Sequence, residues 1–169
     1  RCLDYLPVDL NCCLYKYETD IAEAYQLLGN KAKSEKYKAQ AKKRRFQINE
    51  LMWNEQAHFY FDYNKHKKHQ STFSSVAGFY PLWAKVASKK QAEAIRAHAL
   101  PRFEYDGGIT NTQKENLSSD VKQHDHPNGW PHQQWIVIKG LLNYGYREDA
   151  ERLARKWTDM NLKLFHDTG

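Results

Sequence analysis

The sequence predicts an all-α protein of antiparallel helical hairpins, the ingredients of an α/α toroid, with a short β-ribbon and one long functional loop. Three observations carry that expectation. Apolar residues recur at spacings of three, four and seven along most of the chain. Breaks between these amphipathic stretches, such as Gly29-Asn30, are so short that consecutive helices have to fold back on one another. The stretch from Pro101 to Gly129 lacks periodicity, and loops of that length inside compact domains usually serve a function.

The first helix is expected from Asp9 to Leu28, because Leu10, Leu14, Tyr17, Ile21, Ala24 and Leu28 form one apolar stripe and Gly29 offers a stop. Asp9 suits its N-cap, where a carboxylate accepts from free backbone N–H groups; Asp9 and Asn11 are otherwise open to a site role. A second helix follows from Lys31 to Asn54. The aromatic run His58 to Tyr63 then reads as a strand, and Asn64 to Gln70 as a polar turn.

From Thr72 to Ala87 apolar residues lie nearly all round, as in an inner helix that Pro81 kinks or splits. Ser88 to Gln91 fits a capping box opening the next helix, which Pro101 is expected to end near Leu100. Helices resume from Trp130 to Tyr144, with Gly145 as the stop, and in a last one carrying Ala150, Leu153, Ala154, Trp157, Met160, Leu164 and Phe165. The expected total is six helices in three antiparallel pairs. No tetratricopeptide, ankyrin or HEAT signature recurs, so a superhelical scaffold is not indicated.

Composition excludes several classes. The 169 residues are 41% hydrophobic and 27% charged, with five Trp, eleven Tyr and seven Phe, too much apolar surface for a disordered chain. Mean hydropathy is -0.88, and no run approaches the ~20 apolar residues that a spanning helix needs, so no membrane association is expected. A net charge of +6 comes mostly from Lys31 to Arg45, where the basic residues sit at helical spacing. A solvated helix face accounts for them, and no RNA- or DNA-binding motif accompanies them, so no nucleic-acid partner is expected. Cys2, Cys12 and Cys13 form no CxxC pair, which points to a reducing, cytoplasmic setting.

The densest segment is Gln123-His124-Asp125-His126-Pro127-Asn128-Gly129-Trp130-Pro131-His132-Gln133-Gln134-Trp135. Carboxylates and amides there suit sugar hydroxyls, and an indole face covers the apolar side of a pyranose. Equally, Asn128-Gly129 reads as a plain turn and Trp130 as an anchor with Pro131 at the first helical position. His124, His126 and His132 beside Asp125 match no H-x-x-x-H or H-E-x-x-H frame, so no metal site is expected. No phosphate-cradling, dinucleotide-binding or serine-hydrolase motif occurs, so no cofactor is expected.

The string resembles the trehalase signature of glycoside hydrolase family 37, Gln-Trp-Asp-x-Pro-x-Gly-Trp, a small residue or Pro, Pro, then commonly x-Gln-Trp. Gln123, Asp125, Pro127, Gly129, Trp130, Gln134 and Trp135 match. Two more stretches agree in the same order: Leu6-Pro7-Val8-Asp9-Leu10-Asn11, like the family's Val-Pro-Val-Asp-Leu-Asn, and Gly107-Gly108-Ile109. The segment Gly140 to Gly145 and the helix after it are similar too, so the resemblance covers essentially the whole chain.

It implies an (α/α)6 toroid of six-hairpin glycosidase type and inverting hydrolysis of α,α-trehalose to two glucoses, without cofactor. It implies Asp125, Asn128, Trp130, Gln123, His124, Gly107 and Gly108 as substrate-binding residues. His124 departs from the family's Trp and His132 from its second Pro. The family's catalytic acid lies in a Gly-Trp-Asp segment upstream and its base in a Glu-Lys-Tyr segment downstream; neither segment stands at its expected place in this sequence. Residues 1–169 are therefore expected to be a single partial catalytic domain, the middle-to-late portion, inactive alone, with no catalytic residue of its own. Such a piece of a toroid leaves apolar faces uncovered. The alternatives are a related toroid glycosidase acting on another glucoside and a non-catalytic helical binding module. Oligomeric state is encoded in none of these features.

Overall fold

Two helical hairpins frame the protein, in a computed structural model that describes residues 2–114 and 122–169. Helix α1 (Val8–Leu27) packs antiparallel on α2 (Lys31–Met52). Between them Gly29 takes φ +74°, a left-handed geometry that glycine tolerates without cost to a side chain. Asn30 caps α2 by accepting from the Lys33 N–H. Buried Ser34 donates its hydroxyl to the Ala22 carbonyl, so the helices approach closely. Arg44 grips Glu18 with two hydrogen bonds of 3.0 and 2.7 Å and reaches Asn11, while Lys33, Lys36, Lys38, Lys42 and Lys43 stand exposed.

Asp9 is not the N-cap of α1. Pro7 occupies that position, and Asp62 from a distant ribbon accepts from the Val8 N–H at 2.8 Å. Sequence alone favoured the local carboxylate, whereas tertiary packing delivers a remote one.

Two β-ribbons replace the single expected strand. β2 (Trp53–Asn54) pairs with β3 (Phe59–Tyr60), and β1 (Tyr5–Leu6), β4 (Tyr63–Asn64) and β5 (His69–Gln70) form a three-stranded antiparallel sheet. The expected turn Asn64 to Gln70 is therefore a hairpin, and α2 stops two residues before Asn54 because Trp53 and Asn54 pair with Tyr60 and Phe59.

The expected helix over Thr72 to Ala87 is also corrected. A 3-10 turn (Val76–Phe79) leads into a single α turn, α3 (Tyr80–Trp83). Gly78 and Pro81 explain the break. A Cβ on Gly78 would lie 2.4 Å from the Phe59 ring, so the chain tightens there, and Pro81 sits in the first turn of α3, where its missing N–H costs nothing. Val76, Phe79, Leu82, Val86 and Ala87 are core as the burial pattern predicts, whereas Tyr80 and Trp83 are half-buried and Phe73 is 49% exposed. Rings of Phe59, Phe79 and Phe103 meet at 5.0 to 5.4 Å at the centre.

Ser88 and Gln91 form the expected capping box of α4 (Lys89–Ala94). Pro101, however, does not end that helix. A π-helical turn (Ile95–Ala99) widens it just before Pro101, and α5 (Leu100–Phe103) completes it. The wider turn relieves the clash of a proline ring with the preceding carbonyls. The loop after Pro101 is not structureless either: β6 (Glu104–Tyr105) pairs with β7 (Gly108–Ile109). Asn116, Ser118 and Ser119 of that loop lie outside the described residues.

Helix α6 (Pro131–Asn143) runs from N-cap Trp130 to Gly145, which takes φ +86°, and folds back into α7 (Arg147–Thr168). α3 lies between α1 and α6, so the hairpins stand side by side as in part of an α/α toroid. Leu10 and Tyr17 on α1 and Leu162, Leu164 and Phe165 on α7 face solvent. No described helix is long and apolar enough to cross a membrane.

Candidate functional site

The site rests on the β6–β7 hairpin. Asp106 and Gly107 form its two-residue turn, and Gly108 follows at φ +105°. Gln134, buried in the first turns of α6, donates from Nε2 to the Ile109 carbonyl and accepts the Ile109 N–H on Oε1 at 2.8 Å. It serves as a missing strand partner for β7. The fit excludes side chains. A Cβ on Gly108 would lie 2.7 Å from Gln134 Oε1, and one on Gly129 would lie 2.5 Å from the Ile109 oxygen.

Beyond β7 the chain from Thr110 to Thr112 is laced on both sides. Its Asn111 N–H donates to the Asn128 carbonyl at 2.9 Å, and its Asn111 carbonyl accepts from Val76 at 2.8 Å. Thr112 bridges Ser75, and its hydroxyl accepts from the His126 N–H at 2.9 Å. Asp125 shapes the facing turn: its carboxylate accepts from the Lys122 N–H, and its carbonyl accepts from the Asn128 N–H. The loop 122–130 is thereby tied to a rigid strand, which is how a site gains precision.

A cleft of about 340 Å³ opens between these segments and α1. Asp9 and Asp125 bring carboxylates to it, Asn111 and Gln133 amides, Phe73 and Tyr80 rings, and His124 an imidazole. His124 stacks on Trp130 at 5.1 Å and 17°, and Tyr105 lies against His126 at 4.5 Å. Burial pushes the Tyr80 hydroxyl above its ordinary pKa, and the charge of Asp9 adds to this. A larger cleft of about 690 Å³, lined by Lys89, Glu93, Arg96 and Tyr146, contains none of the expected site residues.

Two residues lining the small cleft have buried polar atoms without a hydrogen-bond partner among the described residues, both side-chain atoms of Asn111 and Gln133 Oε1, and so do Gln113 Nε2, His126 Nδ1 and Trp130 Nε1 in the adjoining segments. Native proteins rarely leave such groups unpaired, so a wall of this kind suits a ligand rich in hydroxyls. Among the described residues no three His, Cys, Asp or Glu side chains stand close enough to hold a metal ion.

Of the residues expected from sequence, His124 and Asp125 line the cleft and Trp130 backs it through the stack. Asn128 is exposed and ties the loop through its backbone, and Gln123 is exposed in the turn. Gly108 is buried against Gln134, and Gly107 lies against Met160 of α7, away from the cleft. Sequence reasoning missed Asn111 and Gln133, assigned Phe73 and Tyr80 to a buried helix, and preferred a capping role for Asp9. The Pro7-Val8-Asp9 stretch was the one available pointer to it.

The trehalase family profile matches residues 1–169. The cytosolic neutral trehalase of Pyricularia oryzae is 38% identical over 98% of this chain and 26% of its own length. That of Saccharomyces cerevisiae is 35% identical, over 98% of this chain and 24% of its own. The solved structure of neutral trehalase Nth1 from S. cerevisiae superposes with a TM-score of 0.92 at 34% identity, covering 98% of this chain and 33% of that one. A mannosylglycerate hydrolase of family GH63 from Thermus thermophilus, 21% identical, shares the fold at a TM-score of 0.74 over 90% of this chain and 36% of its own. The chain thus spans about a quarter of the length of the curated relatives it matches.

Proposed function

The chain belongs to the trehalase family, and from that membership we propose that it is the middle-to-late portion of a catalytic domain hydrolysing α,α-trehalose to two glucoses. The observation that carries the reading is convergence. Asp9 of the Pro-Val-Asp-Leu-Asn stretch and His124 and Asp125 of the Gln123-to-Trp135 string, far apart in sequence, line one cleft.

In an inverting reaction an acid gives its proton to the glycosidic oxygen as the anomeric C–O bond breaks. A carboxylate on the opposite face takes a proton from the water that forms the new C–O bond. The resemblance assigns both groups to segments flanking this chain, so its own residues bind and orient. Asp125 and Asn128 accept from and donate to hydroxyls, and Trp130 with its His124 partner forms an aromatic wall. Gln123, exposed in the turn next to His124, is the remaining polar group offered to the sugar, and Gly107-Gly108 lets the hairpin carry the loop. The cytosolic relatives support a cytosolic location.

The test is glucose release from trehalose, with maltose as control, by the full-length protein that carries this chain. Trehalose-specific release is expected, with none from residues 1–169 alone. A Trp130→Ala change is expected to lower kcat/KM about 10-fold or more, and an unchanged value would sink the wall role. His124 in place of the family's Trp favours a second reading, a toroid glycosidase for another glucoside, which faster release from maltose than from trehalose would establish.

A further inference from the structure

We infer that Asn111, with Gln133 as its neighbour in the cleft, is a substrate-contacting residue that reads adjacent hydroxyl groups of a sugar. The inference rests on the sugar-binding reading of the cleft given above, and it concerns residues outside the matched motif positions. Neither Asn111 nor Gln133 is among the residues on which the family resemblance was drawn.

Asn111 is 3% exposed, yet neither its Oδ1 nor its Nδ2 has a partner among the described residues. Its main chain is fixed, the N–H by Asn128 and the carbonyl by Val76, so only a turn of the side chain can bring the amide to a partner. A buried amide left in this state lowers the stability of the empty protein, so its retention calls for a compensating ligand. Gln133 Oε1, on the first turn of α6 beside the same cleft, is a second buried acceptor without a partner.

The chemistry of the ligand follows from what surrounds the pair. An amide places one acceptor beside a two-hydrogen donor, which matches a vicinal diol whose one hydroxyl donates while the next accepts. Asp9 and Asp125 in the same cleft repel an anion, and an apolar ligand would leave all of these groups unpaired. A neutral polyol against the rings of Phe73 and Tyr80 satisfies both conditions.

The experiment is a cycle of protein and substrate changes in the full-length protein. Asn111→Ala and Gln133→Leu are compared with wild type on trehalose and on a set of its monodeoxy analogues, with sugar-free melting temperatures measured alongside. Asn111→Ala is expected to melt no lower than wild type without sugar and to lose about 10- to 100-fold in kcat/KM on trehalose. One deoxy analogue is expected to lose a similar factor with wild type and nothing further with Asn111→Ala. Gln133→Leu is expected to single out the same or the adjacent hydroxyl.

Equal losses on every analogue with a lowered melting temperature would make Asn111 a packing residue and overturn the inference. If wild type releases no glucose from trehalose, the trehalase reading fails separately. Calorimetric binding of maltose and glucose then decides this one: weaker binding by Asn111→Ala sustains it, and equal binding, or none by wild type, overturns it.

Discussion

Gln134 and Ile109 exchange a reciprocal pair of hydrogen bonds, side-chain amide to backbone peptide, that fastens helix α6 to the hairpin beneath the cleft. Both residues are buried, and Gly108 and Gly129 crowd the amide so closely that neither can carry a Cβ in place. The single Gln134 amide therefore joins α6 to the β6–β7 hairpin, with Gly129 of the loop packed against it.

Removing it strands a buried N–H and a buried carbonyl. Gln134→Ala is expected to cost about 2–5 kcal/mol of stability in the full-length protein, seen as a lower urea midpoint at unchanged slope. A loss below about 1 kcal/mol would show that the peptide of Ile109 finds other partners.

Glycine substitutions separate close approach from backbone conformation. Gly29→Ala meets nothing within 4 Å and carries only the φ +74° penalty, about 1 kcal/mol. Gly129→Ala meets the Ile109 oxygen and the Gln134 amide at 2.5 and 2.8 Å and is expected to cost more. Equal melting temperatures for the two variants would contradict the packing account.

Asp62 caps α1 from a distance, and burial raises its carboxyl above the ordinary range, outweighing the Val8 hydrogen bond that lowers it. Because the folded pKa is raised, the ionised form is penalised in the fold at neutral pH, and protonation relieves that as pH falls through it. Asp62→Asn keeps an acceptor without the charge, so it is expected to match or exceed wild type at neutral pH, the gap closing in acid. Asp62→Ala loses the acceptor as well, so it is expected to lie about 1 kcal/mol below Asp62→Asn at every pH, with its deficit to wild type largest in acid. Chemical denaturation of both variants across pH checks this.

Arg152 binds Glu104 with two hydrogen bonds of 2.8 and 2.9 Å and also reaches Asp149, which Arg96 meets from the other side; Lys156 joins at Glu104. Burial pushes both carboxyls up, but the hydrogen bonds from Arg152 and its companions outweigh it and hold both below the ordinary range. Groups with depressed folded pKa stabilise above the unfolded value, about 4, and lose that contribution as pH falls through the folded one. The melting temperature is expected to drop below about pH 4, and less steeply in Asp149→Asn. An identical acid profile for that variant would remove Asp149 from the account.

Much of the architecture was legible because it is local. The first helix, the stop at Gly29, the capping box at Ser88 and Gln91, and Pro131 at the start of α6 each follow from a few neighbouring residues, although α1 buries Val8, Cys12 and Ala22 and leaves Leu10, Tyr17 and Ile21 of the expected stripe exposed. Where distant groups decided, the reading slipped. Pro101 continues a helix because a π turn makes room, and the Thr72 to Ala87 run is broken because Phe59 fills the space at Gly78.

For the site, the motif string located one wall and no more. His124, Asp125 and Trp130 were found through their motif, while Gln133 stands in the same string at an unmatched position and Asn111, Phe73 and Tyr80 reach the cleft from outside it. Sequence by itself determined the helical hairpins and the family, because amphipathic spacing and an ordered string of motif residues are properties of the chain as written. Tertiary structure alone decided that Asp62 caps α1, that Gln134 completes β7, and that Asp9 and Asp125 line one cleft. Hydrogen-bond partners and cleft walls are set by proximity in space, and local propensity holds no record of it.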